Sequence, residues 1–260
     1  MSMPEAKEKY GQLVSSIASM KRVAVAFSGG ADSTLLLKAC IDAGADITAF
    51  MATGEHFFAE EQRKARELAE TLGIKLITFH IDLVNDETFK RNWEDRCLIC
   101  KSAILRHIKK ECQEMEIDHI LEGSQLDDLK EVRPGRAALI DMNIRSPLVD
   151  AKLNKEDVRA LLKEKGLPNW NAPSVTCLAT RVPHDVRISS TMLHRVEKAE
   201  SLLAHLNFRS LRVRDHEYWA RIEVAQEDLP RLFAERDKVL ALLKPLGYRT
   251  VSMDLMGYHH

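Results

Sequence analysis

No stretch of this 260-residue chain approaches the roughly 20 consecutive apolar residues that cross a bilayer, so no membrane-spanning helix is expected. Met1 to Tyr10 is charged and lacks the apolar centre of a secretory signal. Glycine (11) and proline (8) are too sparse for a collagen-like or low-complexity chain, and no internal repeat is visible. A surplus of one charge is also missing. Lysine plus arginine (38) nearly balances aspartate plus glutamate (39), for a formal net charge of −1. The composition therefore carries no general attraction for nucleic acid or anionic membrane, and only local basic patches remain open. Cysteine is scarce and odd in number, at five, which fits a reduced cytoplasmic protein better than a disulfide scaffold. What is present is an ordinary hydrophobic fraction of 45%, ample for a buried core. At about 100–200 residues per domain, the length suits one large domain or two modest ones.

The apolar pattern changes along the chain. Val23 to Phe27 is a short apolar run that stops at Ser28-Gly29-Gly30, and a helical pattern follows at once to near Gly44. Strands are then expected at Ile47–Thr53, Lys75–Ile81 and from His119 to Glu122, with helices at Glu60–Leu72 and Lys101–Met115. This alternation predicts an α/β fold with a parallel sheet covered on both faces. Asn154 is placed to cap a helix ending near Gly166. Residues Gly166 to Ser190, with Pro168, Pro173 and Pro183, read as irregular, and loops of that length are more often functional than merely connecting. From Thr191 the order helix, two strands, helix (Asp228 to Leu243) and strand predicts a small α+β domain on a three-stranded sheet. The expected domains are 1–187 and 188–260.

The sextet Ser28-Gly29-Gly30-Ala31-Asp32-Ser33 lies between a buried strand and a helix. Glycines let the backbone turn sharply and approach an anion with no Cβ in the way. The helix N-terminus aims N–H groups at that anion, and the Ser28 and Ser33 hydroxyls add donors. No Walker-type lysine follows the glycines. A helix terminus supplies only about half an elementary charge, so a polyphosphate also needs a divalent metal, with Asp32 as a ligand, and arginines from elsewhere.

Cys97 and Cys100 form a Cys-x-x-Cys just ahead of a helical pattern, and Cys177 lies in the long irregular stretch. A redox pair is disfavoured because the motif is far from any thioredoxin-like amino-terminal unit. A zinc site needs a fourth ligand, which His184 can supply, whereas three thiolates alone suit an iron–sulfur cluster with one open iron. Cys40 and Cys112 fall on apolar helix faces and read as core. Arg212 and Arg214 alternate along a strand and so share a face. Arg181, near Cys177, is a third cation, and Trp93 reads as a packing residue before it reads as a stacking surface.

The sextet resembles the signature of the PP-loop ATP pyrophosphatases, which cleave ATP between its α and β phosphates and adenylate a substrate oxygen. The run from Trp170 to Arg181 is similar to the cysteine segment of one of their families, the LarE sulfur transferases of nickel-pincer cofactor synthesis. Gly123-Ser124, Asp127-Asp128, Arg133-Pro134-Gly135, Arg145-Ser146-Pro147-Leu148, Arg212-Val213-Arg214, Arg221-Ile222-Glu223-Val224 and Asp254-Leu255-x-Gly257 extend the likeness along most of the chain.

That resemblance implies a PP-loop fold (HUP-like, adenine nucleotide alpha hydrolase), with ATP and Mg2+ held at Ser28, Gly29, Gly30, Asp32 and Ser33. It implies adenylation of the carboxylates of pyridinium-3,5-biscarboxylic acid mononucleotide and their conversion to thiocarboxylates, with Cys177, Asp32 and Arg181 catalytic. Arg212 and Arg214 would bind anionic groups, and Glu200 and Glu223 match acidic metal positions. One branch of the family has a single cysteine matching Cys177, which gives up its own sulfur. Another has three, matching Cys97, Cys100 and Cys177, and holds a four-iron–four-sulfur cluster, and the Cys-x-x-Cys resembles this second branch. A sulfide donor and homo-oligomers are expected, and no nucleic acid. The rivals are a cluster-dependent tRNA thiolase, a sacrificial single-cysteine donor with structural zinc, and a nucleotide-binding regulator without turnover.

Overall fold

A computed structural model describes residues 3–130, 135–173 and 176–258. In chain order the first elements are α1 (Met3–Ala18), β1 (Arg22–Ala26), α2 (Ala31–Asp42), β2 (Asp46–Thr53), α3 (Ala59–Thr71) and β3 (Lys75–His80). They are followed by α4 (Glu87–Lys90), α5 (Arg96–Glu114), β4 (His119–Leu121), α6 (Arg136–Asp141), α7 (Pro147–Asp150) and α8 (Lys155–Glu164). The chain closes with α9 (Ser190–Ala204), β5 (Arg212–His216), β6 (Trp219–Glu223), α10 (Leu229–Ala234), α11 (Arg236–Leu243) and β7 (Thr250–Met253). Two compact units form: Met1–Gly54, Ala59–Ile81 and Cys97–Val175 make one, and Glu55–Phe58, Asp82–Arg96 and Thr176–His260 the other.

The first unit is the expected α/β layer structure. Its four strands run parallel in the order β3-β2-β1-β4. Successive residues of β1 point to opposite faces, and both faces are dry. Val23 and Val25 join Leu35, Leu36, Val158 and Leu161 on one side, while Ala24 joins Phe50, Leu105, Ile108 and Ile120 on the other. Helix α1, which the charged start of the chain concealed, buries Ala6, Tyr10, Leu13 and Ile17 on a single face at helical spacing. Asn154 caps α8 as expected: its side chain accepts from the Asp157 N–H at 2.8 Å, and Asp157 returns a bond to the Asn154 N–H at 3.2 Å.

In the second unit β5 and β6 are antiparallel and β6 and β7 parallel, giving the expected three-stranded sheet. Val213, Ile222, Leu203, Val239 and Tyr248 fill its core. The single helix expected from Asp228 to Leu243 is two, because Glu235 leaves helical geometry at ψ 9° and divides α10 from α11. The Cys-x-x-Cys also differs from expectation: α5 starts at Arg96, so the motif forms its first turn instead of preceding it. No helix among the described residues is long and apolar enough to cross a membrane.

Candidate active site

Strand β1 ends under an open turn. Gly29 takes φ +79°, and a Cβ there would lie 2.6 Å from Cβ of Ala65, so only glycine fits both the backbone and the space. Gly30 caps α2, and the first helical bond runs from the Thr34 N–H to the Gly30 carbonyl at 3.0 Å. The Ser28 and Ser33 hydroxyls share a hydrogen bond at 3.2 Å, and Ser33 Oγ also lies 3.1 Å from the Gly30 carbonyl, to which it donates. Asp32 is half-buried in the first turn of α2. Ser28, Gly29, Gly30, Asp32 and Ser33 are thus brought together at the carboxyl end of a central parallel strand, where open α/β sheets bind ligands. N–H groups at the start of α2 have no carbonyl one turn earlier in the helix, which suits an anion.

The neighbouring strand closes this cradle. Gly123 follows β4, and a Cβ there would stand 2.8 Å from the Ser33 backbone nitrogen, so glycine is what lets β4 approach the start of α2. The adjacent Glu122, 6% exposed, collects Lys101 Nζ at 3.0 Å, the Ser124 N–H and hydroxyl at 3.0 and 2.9 Å, and the Ser146 hydroxyl at 2.5 Å. Burial alone would raise this carboxyl. The Lys101 charge and the hydrogen bonds from Ser146, Ser124 and Lys101 overcome it and hold the group below the usual carboxylate range. Residues far apart in sequence supply this network, and local patterns gave no sign of Glu122, Lys101 or Asn169, which donates to the Gly29 carbonyl at 3.0 Å.

The cysteines divide into two kinds. Cys40 and Cys112 are buried as expected, and burial pushes their thiols up to about 12 and about 11, the second aided by Glu111. Cys97 is exposed and Cys100 half-buried, one turn apart on the same side of α5. Cys177 is half-buried at the head of a tight turn over Leu178–Arg181, where its carbonyl accepts from the Thr180 hydroxyl at 2.8 Å. That turn is held by buried groups the sequence did not announce: the His56 carbonyl accepts from the Leu178 N–H at 2.8 Å, and Arg96 donates to the Ala179 carbonyl at 3.2 Å. Asn92, also buried, donates to the carbonyls of Pro183 and Val186 at 2.7 and 3.1 Å. No disulfide forms among the described residues. Nor, among them, is any group of three or more His, Cys, Asp or Glu side chains placed to hold a metal ion. His184 lines a surface cavity with Trp93, Glu94, Asp95 and Asp185. Trp93 is 51% exposed, so the packing role expected for it is wrong; the Arg91 guanidinium lies 5.1 Å from its ring centre.

In the second unit the expected cations meet the expected acids. Arg181 forms a two-pronged pair with Glu200 at 2.9 and 3.1 Å, and Arg214 one with Glu223 at 2.8 and 2.9 Å. Arg221 adds a bond to Glu223 at 3.2 Å, and Arg214 reaches the Thr180 carbonyl at 2.6 Å. Glu200 also accepts the Val213 N–H at 2.9 Å. Both carboxylates are therefore taken up by arginine in this structure, and Glu200 by a backbone N–H as well. Arg212 is buried with its guanidinium 4.2 Å from the Tyr258 ring centre. Burial, with the like charges of Arg181 and Arg214, lowers Arg212 from the usual arginine range in spite of Tyr258 and Glu223. Gly257 permits the chain to turn there at φ +71°, with the Tyr258 N–H on the Val224 carbonyl at 2.7 Å. Arg133, Pro134, Ser174, Val175, His259 and His260 lie outside the described residues.

Comparison with known proteins gives this geometry a context. Residues 3–134, just over half of the chain, match the PP-loop domain. The pyridinium-3,5-bisthiocarboxylic acid mononucleotide synthase of Lactiplantibacillus plantarum is 35% identical over 96% of this chain and 91% of its own length. An uncharacterized protein of Synechocystis is 30% identical over 92% of this chain and 90% of itself. An uncharacterized protein of Methanocaldococcus jannaschii is 29% identical over 92% of this chain and 91% of itself. With its glycine cradle at the end of β1 and a likeness that runs nearly end to end, the chain belongs to the PP-loop family, in the LarE group that contains the Lactiplantibacillus synthase.

Proposed function

We propose that this protein is an ATP-dependent sulfur transferase that converts the carboxylates of pyridinium-3,5-biscarboxylic acid mononucleotide to thiocarboxylates in nickel-pincer cofactor synthesis. The observation that carries this reading is the 35% identity, over nearly the full length of both chains, to a synthase of the bisthiocarboxylic acid product. The cradle of Ser28, Gly29, Gly30 and Ser33 supplies the matching chemistry, since it presents N–H and hydroxyl donors to phosphate oxygens. Asp32 offers one hard oxygen donor beside it, which fits Mg2+, an ion usually held by one or two carboxylates together with substrate phosphates.

A carboxylate resists nucleophiles because its carbon is electron-rich and oxide is a poor leaving group. In the proposed reaction a substrate carboxylate oxygen attacks the α phosphorus of ATP, the bond to the bridging oxygen breaks, and pyrophosphate leaves with the electron pair. A sulfide sulfur then attacks the acyl carbon, and the C–O bond to AMP breaks with its electrons on AMP. Helix α2 and the cradle hold the phosphates. Arg212 and Arg214 are assigned to the anionic groups of the substrate, and Arg181 to orienting the turn that carries Cys177, whose Thr176 and Thr180 hydroxyls it binds at 2.5 and 3.0 Å. Glu200 keeps Arg181 in place and Glu223 keeps Arg214 in place; a metal role for either would require an arginine to let go.

Cys97, Cys100 and Cys177 are the thiols that solvent reaches, two of them on one helical turn, so the donor set fits a four-iron–four-sulfur cluster in its chemistry. Bound there, such a cluster would supply the sulfide. A second reading rests on Cys177 alone, a half-buried thiol at the head of a tight turn. In it the Cys177 thiolate attacks the acyl carbon and AMP leaves with the electrons of its C–O bond; loss of the Cα proton with cleavage of the Cβ–Sγ bond then leaves dehydroalanine and thiocarboxylate. Iron and acid-labile sulfide content of protein purified without oxygen separates the two. About four iron and at least four sulfide per chain supports the cluster; no iron and no sulfide, with or without one zinc, and loss of sulfur from Cys177 after turnover supports the sacrificial route. Cys97→Ala should abolish transfer in the first case and leave it intact in the second, with pyrophosphate release preserved in both.

A further inference from the structure

A cradle for a polyanion has to keep its carbonyl oxygens turned away from the bound charge. Two consecutive glycines make that difficult, because a Gly-Gly peptide can rotate at little steric cost and swing an oxygen inward. Here both glycine carbonyls are held. Gly29 O accepts from Asn169 Nδ2 at 3.0 Å. Gly30 O accepts from the Thr34 N–H at 3.0 Å and from the Thr34 hydroxyl at 2.8 Å. The same Asn169 amide donates its second hydrogen to Thr34 Oγ1 at 2.8 Å, which leaves the hydroxyl proton for Gly30 O. One amide therefore restrains the first carbonyl directly and, through a relay, adds to the hold that the Thr34 N–H and the Ser33 hydroxyl have on the second. The orientation of that amide follows from its partners: a carbonyl oxygen only accepts, so the nitrogen must face Gly29.

Asn169 is itself well anchored. Just beyond α8, the Leu167 N–H bonds the Leu162 carbonyl at 2.9 Å and Leu167 is buried. Trp170 packs on the core of the first unit beneath the Lys163 ammonium, 4.7 Å from its ring centre. The Ala172 carbonyl accepts from Arg159 at 3.1 Å.

We propose that Asn169 is a positioning residue of the phosphate loop: its side-chain amide holds the Gly29 and Gly30 carbonyls out of the cradle and so sets the affinity for nucleotide phosphates. The inference rests on reading the cradle as a nucleotide-phosphate site. Because the contact is to the loop backbone, its loss acts on phosphate binding and spares the adenosine moiety. Calorimetric titration of the whole protein with ATP and, separately, with adenosine tests this. Asn169→Ala should weaken ATP binding about tenfold, the equivalent of one to two hydrogen bonds, and change adenosine binding less than about twofold. Thr34→Val, which keeps the shape and removes the relay, should weaken ATP in the same direction by a smaller factor, and it carries the test if Asn169→Ala does not fold. In pyrophosphate release, KM for ATP should rise while kcat stays within about threefold. Unchanged ATP affinity in folded variants, or equal loss for ATP and adenosine, overturns the proposal. An unaltered protein that binds no ATP would instead remove the phosphate-site reading on which it stands.

Discussion

Single side chains carry most of the electrostatic work around the cradle. Glu122 is the clearest case, a nearly buried carboxylate that faces Lys101 and three hydroxyl or N–H donors. Its folded pKa lies below the unfolded value, so its contribution is complete above the unfolded carboxylate pKa of about 4.3 and is lost as pH falls through the folded value. Glu122→Gln should cost about 2 kcal/mol at neutral pH, tempered by the partial exposure of Lys101. Urea unfolding of both proteins at about pH 7 and about pH 3 should show that difference shrink on acidification; a difference that grew would refute the assignment. Asp32→Ala should abolish pyrophosphate release while leaving the thermal midpoint within a few degrees, because Asp32 lies half-exposed in a first helical turn. Unchanged release would remove Asp32 from the site.

At the scale of elements, the cradle depends on two close approaches that only glycine allows. Gly123→Ala would drive a Cβ to within 2.8 Å of the Ser33 nitrogen, where backbone must yield. Overpacking of this kind costs about 1–3 kcal/mol, and here it should displace the start of α2, so ATP binding should fall together with the unfolding midpoint. A normal ATP affinity in this variant would show that β4 does not shape the site. The sheet was legible in the sequence because a parallel strand dry on both faces reads as an unbroken apolar run, as Val23–Phe27 does. The sextet was legible because turn, strand end and helix start are contiguous. Helix α1 was not, since its apolar residues recur only once per turn amid charge. Glu122 with Lys101, and Gly29 with Asn169, are separated in sequence by whole elements, and no local pattern encodes their meeting. The arginine–carboxylate pairing was legible as a list of charged residues on a strand and helix, but which charge faces which depends on β5–β6 register, Arg214 opposite Arg221 and Arg212 opposite Glu223.

For the whole molecule, the second unit draws on three separate stretches of chain, 55–58, 82–96 and 176–260. Within it, Arg181 holds Glu200, and the Thr180 carbonyl receives Arg214. Arg181→Ala in the whole chain leaves Glu200 without its guanidinium, which should cost about 3 kcal/mol and lower the unfolding midpoint; an unchanged midpoint would show that this pair adds nothing to the unit's stability. The central claim concerns the intact protein and is tested most directly by one reaction. Protein purified without oxygen is mixed with ATP, Mg2+, sulfide and pyridinium-3,5-biscarboxylic acid mononucleotide, and AMP, pyrophosphate and the pyridinium product are followed together by mass spectrometry. The account predicts AMP and pyrophosphate in step with thiocarboxylate formation, each dependent on the substrate. ATP binding without pyrophosphate release, or pyrophosphate release with the carboxylates returned unchanged, would contradict it.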